Sequence, residues 1–176
     1  ELEVLAGNIN ILNKPRVPFD DISCEFINDL SRELRKDKKS KLYPDVLALS
    51  YWCRKSNITK MRLDFRESYI RMGLGYAFHI TPSNTPTNFA YSFIFGLLSG
   101  NSNVIRLPTN NFEQIGIICE KIRHLFSKKK YKIIKDSNLL MKYDRNQKIT
   151  KKFSNSCNAR IIWGGDNTIN NIRKFK

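Results

Sequence analysis

The stretch from residue 75 to residue 107 decides the fold. It reads G-Y-A-F-H-I-T (75–81), P-S-N-T-P (82–86), F-A-Y-S-F-I-F-G-L-L (89–98) and V-I-R-L (104–107). The first segment is short, apolar and partly aromatic, which predicts a strand, and the two prolines of the second predict a stiff turn. The third segment has apolar residues on every face of a helix, so the helix should be buried. With a second strand at 104–107, this is a strand–helix–strand unit.

The pattern continues toward the C-terminus. An amphipathic helix is predicted at 115–126, a third strand at 131–135, a short helix at 149–157 and a buried strand at 159–163, whereas 137–146 is ambiguous. Asp166 is placed to cap a final helix. Alternating strands and helices predict an α/β fold with a Rossmann-like, mainly parallel sheet flanked by helices.

Residues 1–72 are interpreted as an N-terminal helical segment that packs on the Rossmann-like domain of residues 73–176. Asp20 or Asp21 can cap a first helix, and Pro44 suits the first turn of a second. The apolar positions of the first helix recur near the 3.6-residue period: they are Ile22, Phe26, Ile27, Leu30 and Leu34.

Composition limits the classes of protein to consider. Hydrophobic residues make up 41% of 176, enough for a core. The longest apolar stretch is about half the ~20 residues that a membrane span needs, and the N-terminus lacks a signal-peptide pattern. Two histidines and four separated cysteines predict no metal site, and the cysteines fit a reducing compartment. We therefore expect a soluble, cytoplasmic protein with no membrane span.

The net charge of +15 suits a polyanionic partner such as nucleic acid. However, 19 Lys, 18 Asn and 20 Ile are what an AT-rich genome would produce, and the longest basic cluster is only residues 128–130. The charge is therefore interpreted as a solvated surface, and no nucleic-acid partner is expected, with a polyanion site as the alternative.

Three predicted strand ends carry polar groups, and open α/β sheets bind ligands beyond the carboxyl ends of their strands. After the first strand, the turn of residues 81–86 presents Asn84, which either stabilises an oxyanion or bonds its own backbone. Arg106 ends the second strand and either contacts a phosphate or ribose or leans into solvent. Gly164 and Gly165 either admit a diphosphate or form an ordinary tight turn.

Two further features resemble functional motifs but are interpreted as structural. The G-L-G-Y-A-F run at residues 73–78 begins like a dinucleotide fingerprint, but it ends in Phe and precedes a strand, where the fingerprint follows one. His79 lies in the middle of the first strand, and we interpret it as a packed histidine rather than a general base.

Three segments, in this order, resemble one family. H-I-T-P-S-N-T-P (79–86), Y-S-F-I-F-G-L-L-S-G-N-S-N-V-I-R-L-P (91–108) and R-I-I-W-G-G-D-N-T-I (160–169) look like the acyl-CoA reductases, the LuxC-type branch of the aldehyde dehydrogenase superfamily. The resemblance runs from about residue 19 to the end. It implies an aldehyde dehydrogenase-like fold and reduction of an acyl thioester, on CoA or an acyl carrier, to an aldehyde. The reductant would be NADPH, and a cysteine would carry the acyl group as a thioester.

The resemblance also implies roles for single residues. Thr81, Pro82 and Ser83 match the loop that lines the cofactor cleft, and Asn84 matches the oxyanion-hole asparagine. Gly164 and Gly165 match the turn beside the pyrophosphate.

The cofactor's ribose would meet Arg106, which stands where the superfamily usually has a lysine. Thr109 stands where many NAD-preferring relatives have glutamate. Because a neutral hydroxyl does not repel a 2′-phosphate, NADP should be admitted there, although this position does not decide between NAD and NADP. The resemblance itself implies NADP(H) as the cofactor.

Family members are more than twice as long, and their nucleophilic cysteine lies well beyond W-G-G. Cys157 precedes that motif, so none of the four cysteines takes the catalytic role. The resemblance thus implies an N-terminal, incomplete cofactor domain without the catalytic domain, inactive alone. A homo-oligomer is possible. The alternatives are a basic nucleic-acid binding module and a non-catalytic nucleotide-binding remnant.

Overall fold

The computed structural model describes residues 1–65 and 69–175, which form a five-stranded sheet and eight α-helices. The strands are β1 (Leu2–Gly7), β2 (Tyr76–Ile80), β3 (Ser102–Arg106), β4 (Asn138–Tyr143) and β5 (Ala159–Ile162). The helices are α1 (Asp21–Lys36), α2 (Pro44–Trp52), α3 (Lys55–Asp64), α4 (Asn88–Leu98), α5 (Glu113–Phe126), α6 (Lys132–Asp136), α7 (Gln147–Ser156) and α8 (Asp166–Arg173). Short 3₁₀ turns lie at Ser40–Leu42 and Lys129–Tyr131.

The strand order is β1-β4-β3-β2-β5, with β4, β3, β2 and β5 parallel and β1 antiparallel to β4. This confirms the predicted α/β fold with a Rossmann-like, mainly parallel sheet flanked by helices. From β2 the chain moves outward through β3 to β4, then returns to the other side of β2 to form β5. The direction of winding therefore reverses between β2 and β5, which is where open α/β sheets place their ligand crevice.

Each face of the sheet buries its own apolar cluster. On one face, α1, α2, α4 and α5 pack around Ile105 and Leu140. On the other, Phe153 of α7 packs on Phe78 and its neighbours in the sheet. α4 is buried along most of its length, as its apolar sequence predicted, although Phe95 is exposed.

Local signals in the sequence explain where several helices begin and end. Asp20 is the N-cap of α1, and its carboxylate accepts a hydrogen bond from the backbone N–H of Ser23 at 3.0 Å. Pro44 is the first residue of α2. Gly100 follows α4 with φ +77°, and a Cβ there would lie 2.1 Å from the carbonyl oxygen of Arg16, so only glycine fits.

Two sequence predictions of secondary structure are wrong. Residues 2–7 are not helical but form β1, which pairs with β4. Residues 131–135, predicted as the third strand, lie in a 3₁₀ turn and α6, while the ambiguous segment contains β4. β4 is buried on both faces, so it lacks the apolar–polar alternation that marks a strand with one solvated face. Residues 66–68 of the predicted helical segment lie outside the described residues, and the division at residue 72 stays a prediction.

Candidate functional site

The three predicted strand ends lie at one edge of the sheet. Because β3, β2 and β5 are parallel neighbours in register, the turns that follow them leave the same edge side by side. Backbone bonds connect them: the N–H of Thr81 donates to the carbonyl oxygen of Arg106 at 3.3 Å, and the N–H of Trp163 donates to that of Ile80 at 2.9 Å. The structure therefore brings together the residues that the sequence singled out.

The turn after β2 is fixed at its base and exposed at its tip. The buried Thr81 hydroxyl donates to the carbonyl oxygen of Arg106 at 2.7 Å. The carbonyl oxygen of Ser83 accepts from the side chain of Asn110 at 3.0 Å. Asn84 is exposed, and its Oδ1 accepts a hydrogen bond from the hydroxyl of Thr85 at 3.3 Å. The NH₂ group of Asn84 donates no hydrogen bond to the neighbouring strands within the described residues.

Arg106 does not lean into solvent but lies half-buried against β4. Its guanidinium carbon lies 4.7 Å from the centre of the Tyr143 ring, and Nη2 donates to the Tyr143 carbonyl oxygen at 3.4 Å. Nε is buried and has no hydrogen-bond partner within the described part of the chain. A buried donor of this kind is costly to leave unbonded, which points to a ligand acceptor. Thr109, on the loop that follows, is half-buried.

The glycine turn after β5 is exposed and leads directly into α8. A Cβ on Gly165 would meet nothing within 4 Å, whereas one on Gly164 would touch the Thr168 side chain at 3.1 Å. The prediction that Asp166 caps α8 is wrong: Gly165 is the N-cap and Asp166 is the first helical residue, without a side-chain cap bond. The amides of this first turn are thus not bonded by a capping side chain.

Behind these turns lies a polar network that the sequence analysis missed. His79 is fully buried, as expected of a packed residue, with Nδ1 2.7 Å from Ser92 Oγ and Nε2 3.0 Å from Asn103 Oδ1. Asn103 Nδ2 donates to Asn138 Oδ1 at 2.8 Å, and the indole N–H of Trp163 donates to Ser92 Oγ at 3.0 Å. We call His79, Ser92, Asn103 and Asn138 the buried polar network. The signal was available in the sequence, since polar residues at these positions interrupt apolar strands and a buried helix.

The comparison with protein families identifies the chain. The model of the family "Acyl-CoA reductase (LuxC)" matches residues 25–176, most of the sequence. This chain belongs to the acyl-CoA reductase (LuxC) family. Neither curated proteins nor solved structures gave a match. Membership supports an acyl-CoA reductase-type function, an oxidoreductase that acts on an acyl thioester.

The part of this acyl-CoA reductase that the structure describes has neither a membrane-spanning helix nor a cluster of metal-ligating side chains. No helix in residues 1–65 or 69–175 combines the length and the apolar character needed to cross a bilayer. Within the same residues, no cluster of three or more His, Cys, Asp or Glu side chains could hold a metal ion.

All four thiols of this acyl-CoA reductase chain have raised pKa values. Burial raises the pKa of Cys24 to about 11 and that of Cys119 to about 12, and it also raises the pKa values of Cys53 and Cys157. A catalytic cysteine needs the opposite shift, because the thiolate is the reactive form.

Three observations at this edge of the sheet are compatible with a bound dinucleotide. Gly165 leaves open space where any side chain would stand, the first turn of α8 lacks a capping side chain, and Nε of Arg106 lacks a described partner. The exposed carboxylate of Asp166 opposes an anion there. A cavity of about 560 Å³ lies elsewhere, among α7, β5 and α8; it is lined by Ser154, Asn155, Cys157, Asn158, Ala159, Arg160, Ile162, Ile169 and Arg173, none of them a predicted site residue.

Proposed function

We propose that this chain supplies the NADPH-binding crevice of an acyl-CoA reductase that converts an acyl thioester to an aldehyde. The observation that supports it most is the junction at the winding reversal: the turns after β2, β3 and β5 are hydrogen-bonded to one another and leave one edge of the sheet. Family membership supplies the reaction class, and this edge is the place that the sheet topology favours for a nucleotide.

The proposed binding roles follow from the position of each group. Backbone N–H groups of Gly164 and Gly165 would face the pyrophosphate at the positive end of α8. The guanidinium of Arg106 would bond the adenosine ribose and its 2′-phosphate, where Thr109 places no negative charge. Thr81, Pro82 and Ser83 would form the wall of the crevice on the side of β2.

The proposed catalytic group is Asn84. Its exposed amide on a proline-flanked turn would donate a hydrogen bond to the carbonyl oxygen of the thioester as negative charge develops there. Bound NADPH would supply the hydride. The acyl-accepting cysteine would not be any of the four in residues 1–176, so we expect these residues alone to bind the cofactor without turning over acyl thioesters. Cytoplasmic location is part of the same proposal, since all four thiols are free.

The surroundings of the longest basic cluster, residues 128–130, weigh against the nucleic-acid alternative. Lys130 Nζ lies 2.6 Å from a carboxylate oxygen of Glu25 and 3.0 Å from one of Asp29, and Lys128 Nζ lies 3.7 Å from Glu33. Two of the three lysines in the longest basic cluster therefore lie beside acidic residues of α1. This supports a solvated, partly neutralised surface over a nucleic-acid module.

Two titrations test the proposal. The chain is titrated with NADPH, followed by nucleotide fluorescence, and separately with duplex DNA, each at two salt concentrations. We expect a saturable NADPH signal that survives the higher salt. DNA binding that falls with salt by a log–log slope of about 0.9 per phosphate contact would favour the nucleic-acid alternative. No NADPH signal at either salt would contradict the proposed function.

A further inference from the structure

Trp163 connects the glycine turn to the interior of the protein. It is the residue immediately before Gly164, and its side chain is 40% exposed at the edge of the sheet. Two bonds fix it: its backbone N–H donates to the carbonyl oxygen of Ile80 at 2.9 Å, and its indole N–H donates to Ser92 Oγ at 3.0 Å. The helix that follows, α8, has no fully buried residue, and it is anchored mainly toward its C-terminal end, where Ile172 packs on the sheet and the Arg160 guanidinium donates to the Ile172 carbonyl oxygen at 3.0 Å. Trp163 is therefore the anchor of the glycine turn on the side of the sheet.

The buried polar network allows only one arrangement of hydrogen bonds. The NH₂ group of Asn103 donates to Asn138 Oδ1 at 2.8 Å and to the carbonyl oxygen of Asn101 at 3.0 Å. The Oδ1 atom of Asn103 must then accept from Nε2–H of His79, at 3.0 Å. This fixes the neutral histidine with a lone pair on Nδ1, which accepts the O–H of Ser92 at 2.7 Å.

This series of hydrogen bonds continues to the surface at Trp163. Because the hydrogen of Ser92 is committed to His79, the oxygen of Ser92 presents lone pairs that only a donor can use, and the indole N–H is that donor. Every polar atom of the His79 and Ser92 side chains is thereby used. The oxygen of Ser92 therefore connects the buried His79 ring directly to the indole of Trp163.

The structure makes specific room for this arrangement. Gly96 lies on α4, one turn after Ser92, and a Cβ there would lie 2.0 Å from Asn103 Oδ1 and 3.1 Å from Cε1 of His79. A side chain at this position would displace the pair that orients Ser92. The helix therefore contributes both a hydroxyl and a gap to the network.

We infer that Ser92 is a positioning residue that, backed by His79, holds the Trp163 indole and thereby sets the Gly164–Gly165 turn for ligand binding. The holding of the turn stands on the contacts above, and the identity of the ligand rests on the proposed function. Ser92 and His79 lie behind the edge and act only through Trp163.

Hydrogen exchange tests the holding of the turn without any ligand. In Trp163→Phe and Ser92→Ala, the amides of Trp163 and Thr168 should exchange about tenfold faster relative to their intrinsic rates, because one anchoring hydrogen bond is lost and the turn opens locally more often. These two amides are informative because they donate to the carbonyl oxygens of Ile80 and Gly165, each at 2.9 Å. The matched control is Ser31→Ala on α1, since Ser31 is also buried and its hydroxyl donates to the Ser50 carbonyl oxygen at 2.7 Å. The control should leave the exchange of both amides unchanged.

Amides of β3 separate local from global opening. Unchanged exchange at Trp163 and Thr168, or equal acceleration there and at Val104, would overturn the inference. Trp163→Phe keeps most of the aromatic surface, so it decides the matter if Ser92→Ala does not fold.

NADPH affinity separates this inference from the proposed function. Each single variant should bind NADPH about fivefold more weakly, and the double variant no more weakly than either, because both remove the same hydrogen bond. Wild-type protein that fails to bind NADPH contradicts the proposed function, and the exchange result still decides whether Ser92 holds the turn. Wild-type binding with unchanged affinity in both variants contradicts the positioning role.

Discussion

The exposed turns at the edge of the sheet and the buried polar network behind them contain different kinds of residue. Asn84 and Gly165 are exposed and make few contacts, whereas His79, Ser92 and Asn103 are buried and fully hydrogen-bonded. Substitutions at the edge should therefore change function with little effect on stability. Substitutions in the network should change stability first and function through the position of Trp163.

The largest effect is expected at Asn84. In an intact reductase that contains this chain, Asn84→Ala should lower kcat by about 100- to 1,000-fold, equivalent to about 3–4 kcal/mol, because one oxyanion donor is lost. The dissociation constant for NADPH should stay the same, and so should the melting temperature. Steady-state kinetics measures kcat, and a separate titration measures the dissociation constant for NADPH. Equal losses in kcat and in cofactor affinity would show that Asn84 binds cofactor instead.

Gly96→Ala tests how much the buried polar network contributes to stability. Its Cβ would overlap Asn103 Oδ1, so we expect a loss of about 2–3 kcal/mol in the free energy of unfolding, measured by urea denaturation. Gly116→Ala on α5 is the matched control, since nothing lies within 4 Å of a Cβ there. That control should gain about 0.5–1 kcal/mol from helix propensity. A neutral Gly96→Ala would mean that the network tolerates displacement.

The protonation of His79 gives the network a pH dependence. Burial lowers the pKa of His79 from the ordinary 6.5 to about 4, so the unfolded chain takes up a proton before the native protein does. Stability should fall as the pH decreases through 6.5, by about 2 kcal/mol between pH 7 and pH 5. Urea denaturation at a series of pH values measures this fall.

His79→Gln should remove most of that fall, because it leaves no buried group to titrate there. His124→Gln, on the exposed side of α5, should keep the wild-type fall. An identical pH dependence in wild type and His79→Gln would contradict the assignment.

The smallest expected effect is at Gly165. Gly165→Ala should weaken NADPH binding about tenfold, because a methyl group would stand where the pyrophosphate approaches the first turn of α8. Stability should change by less than about 1 kcal/mol, since the added Cβ meets no protein atom. Unchanged affinity would place the diphosphate elsewhere.

The sequence was sufficient to predict the strand–helix units and the turns, because glycine, proline and apolar periodicity act on local structure. It was insufficient for β4, whose N-L-L-M-K-Y stretch is buried on both faces, and for β1, which depends on pairing with a strand 130 residues later. The hydrogen bonds around the network escaped prediction for the same reason. The sequence shows polar residues within apolar elements, but Ser92 on α4, Asn103 on β3 and Trp163 after β5 come together only in the folded protein. Asp166 was misplaced by one residue because a glycine N-cap leaves no side-chain signal.

The most direct test of the central claim locates the ligand. Amide resonances of isotopically labelled protein are recorded as NADPH is added, together with the side-chain Nε–H of Arg106. We expect the largest shifts at Ser83, Gly164 and Gly165 and at Nε of Arg106. Shifts confined to the cavity around Cys157 or to residues 128–130, or the absence of any shift, would contradict an NADPH crevice at this edge of the sheet.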